Sequence, residues 1–336
     1  MNIKAVANLA GVSTATVSRT MNGTAKVSPE TEERVRAAIQ KLNFYPDTNA
    51  RALGSGRSNM YGLIISDITN PFFPELIKAF EDIAVVHNQE VLIANTNYDA
   101  ERMKICVTRM LQRKVDGVAI MTSEMDNSLV DVFSRRHIPL VFLDAGTIRP
   151  GVSSVQIDYA GGVDLAMEHL IALGHERIAF ISGPMRLEPA RARHLTFKKI
   201  QGREHLADHP EMVQEGNHRV DGGHEAMLRI LDSDARPTAV LGSNDLTAIG
   251  AMGAIHERKL RIPEDISVMG FDDIQLSAFT MPSLTTVNVP RVELAKSAFQ
   301  ALLHARKPGR KLAMGEKYPV RTSLVLRGST GPVKVK

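Results

Sequence analysis

Ala5-Val6-Ala7-Asn8-Leu9-Ala10-Gly11-Val12-Ser13-Thr14-Ala15-Thr16-Val17-Ser18-Arg19-Thr20-Met21 decides how the front of this chain folds. Val6, Leu9 and Ala10 recur at helical spacing and form one apolar stripe. Gly11-Val12 interrupts it, and Ser13 supplies an oxygen that can cap a second helix over Thr14 to Met21. Val17 and Met21 lie four apart on the inner face of that helix, and Asn22-Gly23 ends it. Ala7 is small enough to let the helices approach, Gly11 permits a tight turn, and Val17 fills the gap between them. A third helix starts with Ser28 as cap and Pro29 at its first position, with Glu30, Glu32 and Glu33 at the positive end of its dipole. Its apolar face is Val35, Ala38, Ile39 and Leu42. The second helix is left with Thr14, Ala15, Thr16, Ser18 and Arg19 facing solvent. Short polar side chains beside one arginine suit the major groove of DNA, where arginine bonds guanine through two hydrogen bonds. Many short helical hairpins share the pattern, so it does not decide the matter alone.

Charge adds a second signal. The 336 residues carry a net charge of +4, and residues 1–58 alone hold eight Lys or Arg against four Asp or Glu. The rest of the chain balances to zero, with 33 charges of each sign. Asymmetry of this kind points either to a polyanionic partner for the front end or to a solvated basic face. Cys106 stands alone, which excludes a disulfide framework and a cysteine-based metal site and fits a reducing cytoplasm. No run of eighteen apolar residues exists, and the start shows no secretion signal, so the expectation is a cytoplasmic protein with no membrane span.

From Pro46 to Arg57 the pattern changes. Asn49-Ala50-Arg51-Ala52-Leu53 has room for one or two turns of helix, followed by Gly54-Ser55-Gly56, and a segment this short reads as a hinge. Beyond Met60, apolar strands alternate with amphipathic helices. The expected strands are Gly62–Ser66, Glu90–Ala94, Gly117–Met121, Leu140–Leu143, Val155–Ile157, Arg177–Ile181, Thr238–Leu241 and Ser267–Gly270. This is α/β architecture with parallel sheets covered on both faces, too long for one sheet and therefore divided into two similar lobes with a cleft.

Open α/β sheets bind ligands at the carboxyl ends of their strands. Asp144, Asn244 and Asp272 each follow a strand, and Asn70-Pro71-Phe72-Phe73 follows the first one. Buried polar groups need partners, which ligand hydroxyls or helix N-termini can supply. The cap reading is the stronger one for Asp245 and Asp158, and the weaker one for Asp272. Phe72 and Phe73 either stack on a ligand ring or plug the core. G-x-x-x-x-G-K-[ST], G-x-S-x-G and H-E-x-x-H are all absent, so no catalytic residue, cofactor or metal site is expected. His175, after Leu173-Gly174, reads as a cap or dipole residue.

Ile3-Lys4-Ala5-Val6-Ala7 through Val12 to Arg19, Asn22-Gly23, Val27-Ser28, Glu33-Arg34-Val35, Tyr45-Pro46 and Ala50-Arg51-Ala52-Leu53 together resemble the head of the lactose repressor (LacI/GalR) family. Asp67-Ile68-Thr69-Asn70-Pro71-Phe72-Phe73, Leu173-Gly174-His175, Asn244-Asp245 and Gly270-Phe271-Asp272-Asp273 resemble the same family's sensor, so the likeness covers nearly the whole chain. The resemblance implies a helix-turn-helix head over residues 1–45 and a hinge over 46–58. It also implies a two-lobed, periplasmic-binding-protein-like effector domain over 59–336. Lobe 1 is then expected at about 59–158 and 290–318, and lobe 2 at about 159–289 and 319–330. Thr14, Ala15 and Arg19 would read bases, Thr16 and Asn22 would join the DNA contact, and Leu53 would wedge a base step in the minor groove. Asn70, Phe72, Phe73, Asp144, Arg193, Asn244 and Asp272 would hold the effector, with Arg186 and Arg191 competing for the role of Arg193. Ala5, Gly54 and Ala145 depart from the residues common in the family. The implied function is a repressor that binds double-stranded operator DNA as a homodimer. A small polar metabolite (a sugar, a sugar derivative or a nucleobase) would control it.

Overall fold

The computed structural model describes residues 2–22, 26–45, 57–144, 146–305 and 312–334, in two units, residues 1–58 and 59–336. In the first unit, α1 (Ile3–Ala10), α2 (Thr14–Asn22) and α3 (Pro29–Lys41) begin and end on local signals. Asn2 Oδ1 accepts the Ala5 N–H at 3.1 Å, Ser13 Oγ accepts that of Thr16 at 3.1 Å, and Ser28 Oγ accepts that of Thr31 at 3.4 Å. Gly11 closes α1 at φ +66°, a conformation that penalises any side chain. Val6, Ala7, Ala10, Val17, Val35 and Ala38 make the core. Leu9, expected on the inner stripe, is 45% exposed. Ala7 instead joins Val6 and Ala10, which turns the buried face of α1 away from Leu9. The expected hinge helix, including Leu53, lies outside the described residues.

The second unit folds as two lobes, each built on a six-stranded sheet. Lobe 1 contains β1 (Met60–Ile65), β2 (Glu90–Asn95), β3 (Gly117–Met121), β4 (Leu140–Leu143), β5 (Val152–Ile157) and β11 (Lys317–Val320). Their order is β11-β5-β4-β3-β1-β2, all parallel. Helices α4 (Phe72–Val86) and α11 (Arg291–Ala305) cover one face, with Phe80 and Phe299 fully buried. Helices α5 (Ala100–Gln112) and α6 (Asn127–Arg135) cover the other, with Met103, Met110 and Phe133 buried. Strands covered on both faces have no polar side, which is why β1, β3 and β4 read as continuous apolar runs.

Lobe 2 contains β6 (Ile178–Ser182), β7 (Val213–Glu215), β8 (Ala239–Gly242), β9 (Ser267–Asp272), β10 (Thr285–Asn288) and β12 (Ser323–Val325). The order is β12-β10-β9-β8-β6-β7, so the first five strands of each lobe follow one plan, and only β12 runs antiparallel. One face is covered by α7 (Tyr159–Ala172) and α8 (Glu188–Arg203), the other by α9 (Val220–Leu231) and α10 (Asp245–Glu257). A Cβ on Gly250 would lie 2.0 Å from the carbonyl oxygen of Val220, so α9 and α10 approach backbone to backbone.

The chain crosses between lobes at Asp158, at Val289-Pro290 and at Arg321-Thr322. The last crossing corrects the expected division at 318/319. Tyr318 to Val320 continue the β11 ladder against Val155 to Ile157 and stay in lobe 1. His175 is also not a dipole residue. It is buried, Nδ1 lies 3.0 Å from Thr238 Oγ1, and Nε2 lies 3.1 Å from Ser267 Oγ and 3.0 Å from the Gly331 carbonyl, pinning the C-terminal segment to lobe 2.

Candidate functional site

Two surfaces carry chemistry. On the first unit, Thr14, Ala15 and Arg19 are exposed on α2 while Val17 between them is fully buried. One face of the helix is thus fixed to α1 and α3, and the opposite face is free. Thr16 is half-buried, with Oγ1 2.9 Å from Ser13 Oγ at the helix start. The Asn22 side chain and Leu53 lie outside the described residues.

On the second unit a cavity of about 320 Å³ lies between the lobes at the carboxyl ends of their strands. All seven residues expected to hold an effector line it: Asn70, Phe72, Phe73, Asp144, Arg193, Asn244 and Asp272. Asn70 is buried, and its Oδ1 accepts the Phe72 N–H at 3.0 Å, which opens α4 at the cavity wall. The Phe72 and Phe73 rings meet edge to face at 5.6 Å. Both belong to the lobe 1 core, as the core alternative for this pair expects, and both also line the cavity.

Asp144 directly follows β4 and Asp272 ends β9, the fourth strand of each lobe. Their φ angles are +128° and +114°, strained values for non-glycine residues that cost of order 1–3 kcal/mol each. Arg193, on α8, is buried with its guanidinium carbon 4.6 Å from the Tyr159 ring centre and 5.0 Å from that of Phe271. Aromatic faces hold a cation without consuming its N–H donors, and Nε of Arg193 has no partner among the described residues.

Burial sets the electrostatics. It raises the Asp144 carboxyl to about 7, with Arg193 opposing, and the Asp272 carboxyl to about 8, again opposed first by Arg193. Near neutral pH these carboxyls therefore donate as well as accept hydrogen bonds. Burial also drives His218 down to about 3, so its ring is neutral, and lifts Tyr98 to about 12. The ionisable groups along the wall include three acids, Asp144, Glu188 and Asp272, and three arginines, Arg186, Arg191 and Arg193, with Arg191 paired to Glu188. Lobes meet across the cleft through Arg219 Nη2 and Asp67 Oδ2 at 2.8 Å.

Asn244 has a second occupation. Its Oδ1 caps α10 by accepting the Thr247 N–H at 2.9 Å, and its Nδ2 donates to the His218 carbonyl at 3.1 Å. Asp158 caps α7 through the Gly161 N–H at 2.8 Å, in line with the cap reading. Asp245 does not cap. It is fully buried and accepts from the Ile274 N–H at 2.8 Å, Ser277 Oγ at 2.6 Å and Thr286 Oγ1, which organises the loop after β9. Tyr98, Tyr159 and His218 line the cavity without having been singled out from sequence. Tyr159 opens the helix after the first crossing, and that position was the signal available in the sequence.

A compact head with one exposed polar helix, joined to a two-lobed body that encloses a polar cavity, defines a ligand-responsive DNA-binding protein. Residues 2–47 match the model of bacterial regulatory proteins of the lacI family, and residues 167–330 match the periplasmic binding protein-like domain. The chain is 35% identical over 329 residues to the HTH-type transcriptional repressor PurR of Histophilus somni, covering 97% of this chain and 98% of that one. It is 35% identical over 303 residues to the ribose operon repressor of Escherichia coli, covering 90% and 92%. A crystal structure of the lac repressor dimer bound to operator and an anti-inducer superposes with TM-score 0.84 at 30% identity, covering 98% and 99%. The chain belongs to the lacI family of bacterial regulatory proteins. Among the described residues, no helix is long and apolar enough to cross a membrane.

Proposed function

We propose that this protein is a transcriptional repressor that binds operator DNA as a homodimer through α2 and is controlled by an uncharged, hydroxyl-bearing molecule of sugar size held between its lobes. The observation that carries this reading is the convergence of Asp144, Arg193 and Asp272 on one cavity beside the Phe72 edge. Two carboxyls that can donate or accept, plus one guanidinium on an aromatic platform, match a ring bearing several hydroxyls. Arg193 faces both Asp144 and Asp272, so a phosphorylated or carboxylated ligand has to compete with two carboxyls for the guanidinium, whereas hydroxyls bond to all three. Relatives support the class: a lacI family regulator from Enterococcus faecium, 28% identical with TM-score 0.72, was solved with bound ribose. In this account Thr14, Ala15 and Arg19 read bases, Thr16 and Asn22 join the DNA contact, and Leu53 is the hinge wedge.

Thermal-shift titration against uncharged sugars, sugar phosphates and nucleobases tests the ligand class, since a ligand that binds only the folded state raises the melting temperature. An uncharged sugar should stabilise the protein and its phosphate ester should not. Stabilisation by phosphate esters or nucleobases alone overturns the assignment.

A further inference from the structure

We infer that Arg291 is a positioning residue of the effector cavity, holding the end of β9 against the opposite lobe so that Asp272 and Phe72 meet one ligand as a unit. The inference rests on the reading that the cavity binds an effector. Arg291 is the first residue of α11, directly after the second crossing between lobes, and its side chain is 14% exposed. Nη1 donates to the carbonyl oxygens of Asp272 and, at 3.2 Å, Val289. Nη2 donates to the Asp273 carbonyl at 2.7 Å, and Nε lies 2.9 Å from Glu75 Oε2. Glu75 sits in the first turn of α4, three residues after Phe72, and its other oxygen accepts the Gln275 N–H at 3.0 Å. The Arg291 guanidinium carbon is 5.8 Å from the Phe72 ring centre.

One planar group therefore joins a lobe 1 helix that lines the cavity to a lobe 2 strand end that lines it too. The strand end needs holding. Asp272 and Asp273 are consecutive non-glycine residues at φ +114° and +56°, and such conformations persist only where surroundings over-determine them. Arg327, 2.6 Å from Asp273 Oδ1, and Asn288 Nδ2, 2.8 Å from Asp273 Oδ2, fix the Asp273 side chain within lobe 2. Arg291 fixes the backbone to lobe 1. A lysine cannot reproduce this, because an ammonium lacks the fixed fork that serves four acceptors at once.

The test reads the Asp272 carboxyl in full-length protein carrying ¹³Cγ-labelled aspartate, with Asp272→Asn identifying the resonance. The charged and titratable groups around this carboxyl are Arg193 on α8, Asp245 on α10, Glu75 on α4 and Arg291 itself, with Tyr98 and Tyr159 nearby. Arg291→Gln should displace the Asp272 resonance and raise its titration midpoint by roughly half a pH unit or more. Arg291→Lys keeps the charge, so its midpoint should stay nearer the parent's while the resonance remains displaced. Should Arg291→Gln fail to fold, Arg291→Lys decides the matter alone. A residue that only packs would lower the melting temperature and leave both shift and midpoint at parent values, and that result overturns the inference. Binding of D-ribose and cellobiose is measured in parallel by calorimetry. Failure of both to bind the parent counts against the sugar reading, while the resonance still reports on Arg291.

Discussion

Asp272→Asn isolates what a buried acid does to this fold. In the parent, Asp272 is 9% exposed and burial holds its carboxyl near 8 rather than the ordinary 3.8. The folded chain thus binds this proton more tightly than the unfolded chain. The stabilisation this supplies is complete below pH 3.8 and is lost as pH rises through about 8. Each tenfold change in proton affinity is worth about 1.4 kcal/mol, which sets an upper limit of roughly 6 kcal/mol. Water entry and local relaxation reduce the realistic figure to about 2–3 kcal/mol. Asparagine has nearly the same shape, cannot ionise, and leaves the bonds from Arg291 in place because those go to backbone oxygens. Melting curves at pH 5.5, 7 and 9 should therefore fall less steeply with pH in the variant. About three fifths of the interval from 3.8 to about 8 lies above pH 5.5, so at about 2–4 °C per kcal/mol for a domain of this size the gain relative to the parent between the extremes is roughly 2–7 °C. Asp144 and Asp245, raised by burial to about 7 and about 6, leave a residual slope of the same sign in both proteins. Parallel profiles for parent and variant would refute the reasoning.

Arg19→Ala should cost about 1–3 kcal/mol at one base position and lower the preference for operator over scrambled DNA roughly 5- to 150-fold, with the sensor still folded; an unchanged ratio in competition gel shifts removes Arg19 as the reader. Leu53→Ala should weaken operator binding and reduce bending, and an equal bend angle in a circular-permutation assay would show that no wedge acts there. Gly250→Ala should lower stability by about 1–3 kcal/mol, because the new methyl meets the Val220 carbonyl rather than a movable side chain. Denaturant midpoints check it, and an unchanged midpoint means that α9 and α10 part without cost.

Local chemistry was legible in the sequence and long-range chemistry was not. Gly11, Ser13, Ser28 and Pro29 act within four residues of themselves, so their roles can be read from the string. The doubly covered strands announced themselves as apolar runs. β10 did not, because Thr285 and Thr286 are buried and bond across the chain to Ser329, Thr330 and Asp245, giving neither an apolar run nor an alternation. β7 and β12 are three residues each, too short to show a period. At the cavity, strand ends located Asp144, Asn244 and Asp272, and family likeness located Arg193. What they bond was hidden: Asn244 spends both side-chain atoms on α10 and His218, and Asp245 serves the loop after β9. The partners of Arg291 lie up to 216 residues away, at Glu75, and no local pattern encodes such a contact.

The most direct test of the account is operator affinity titrated with a stabilising uncharged sugar, in the parent and in Asp272→Ala. A ligand shifts an equilibrium only through its differential affinity for the two arrangements, so a protein that cannot hold it cannot respond. Asp272→Ala should bind operator like the ligand-free parent and show no change at sugar concentrations that saturate the parent. A full response by the variant at those concentrations would contradict the account and place the control of DNA binding outside the cavity.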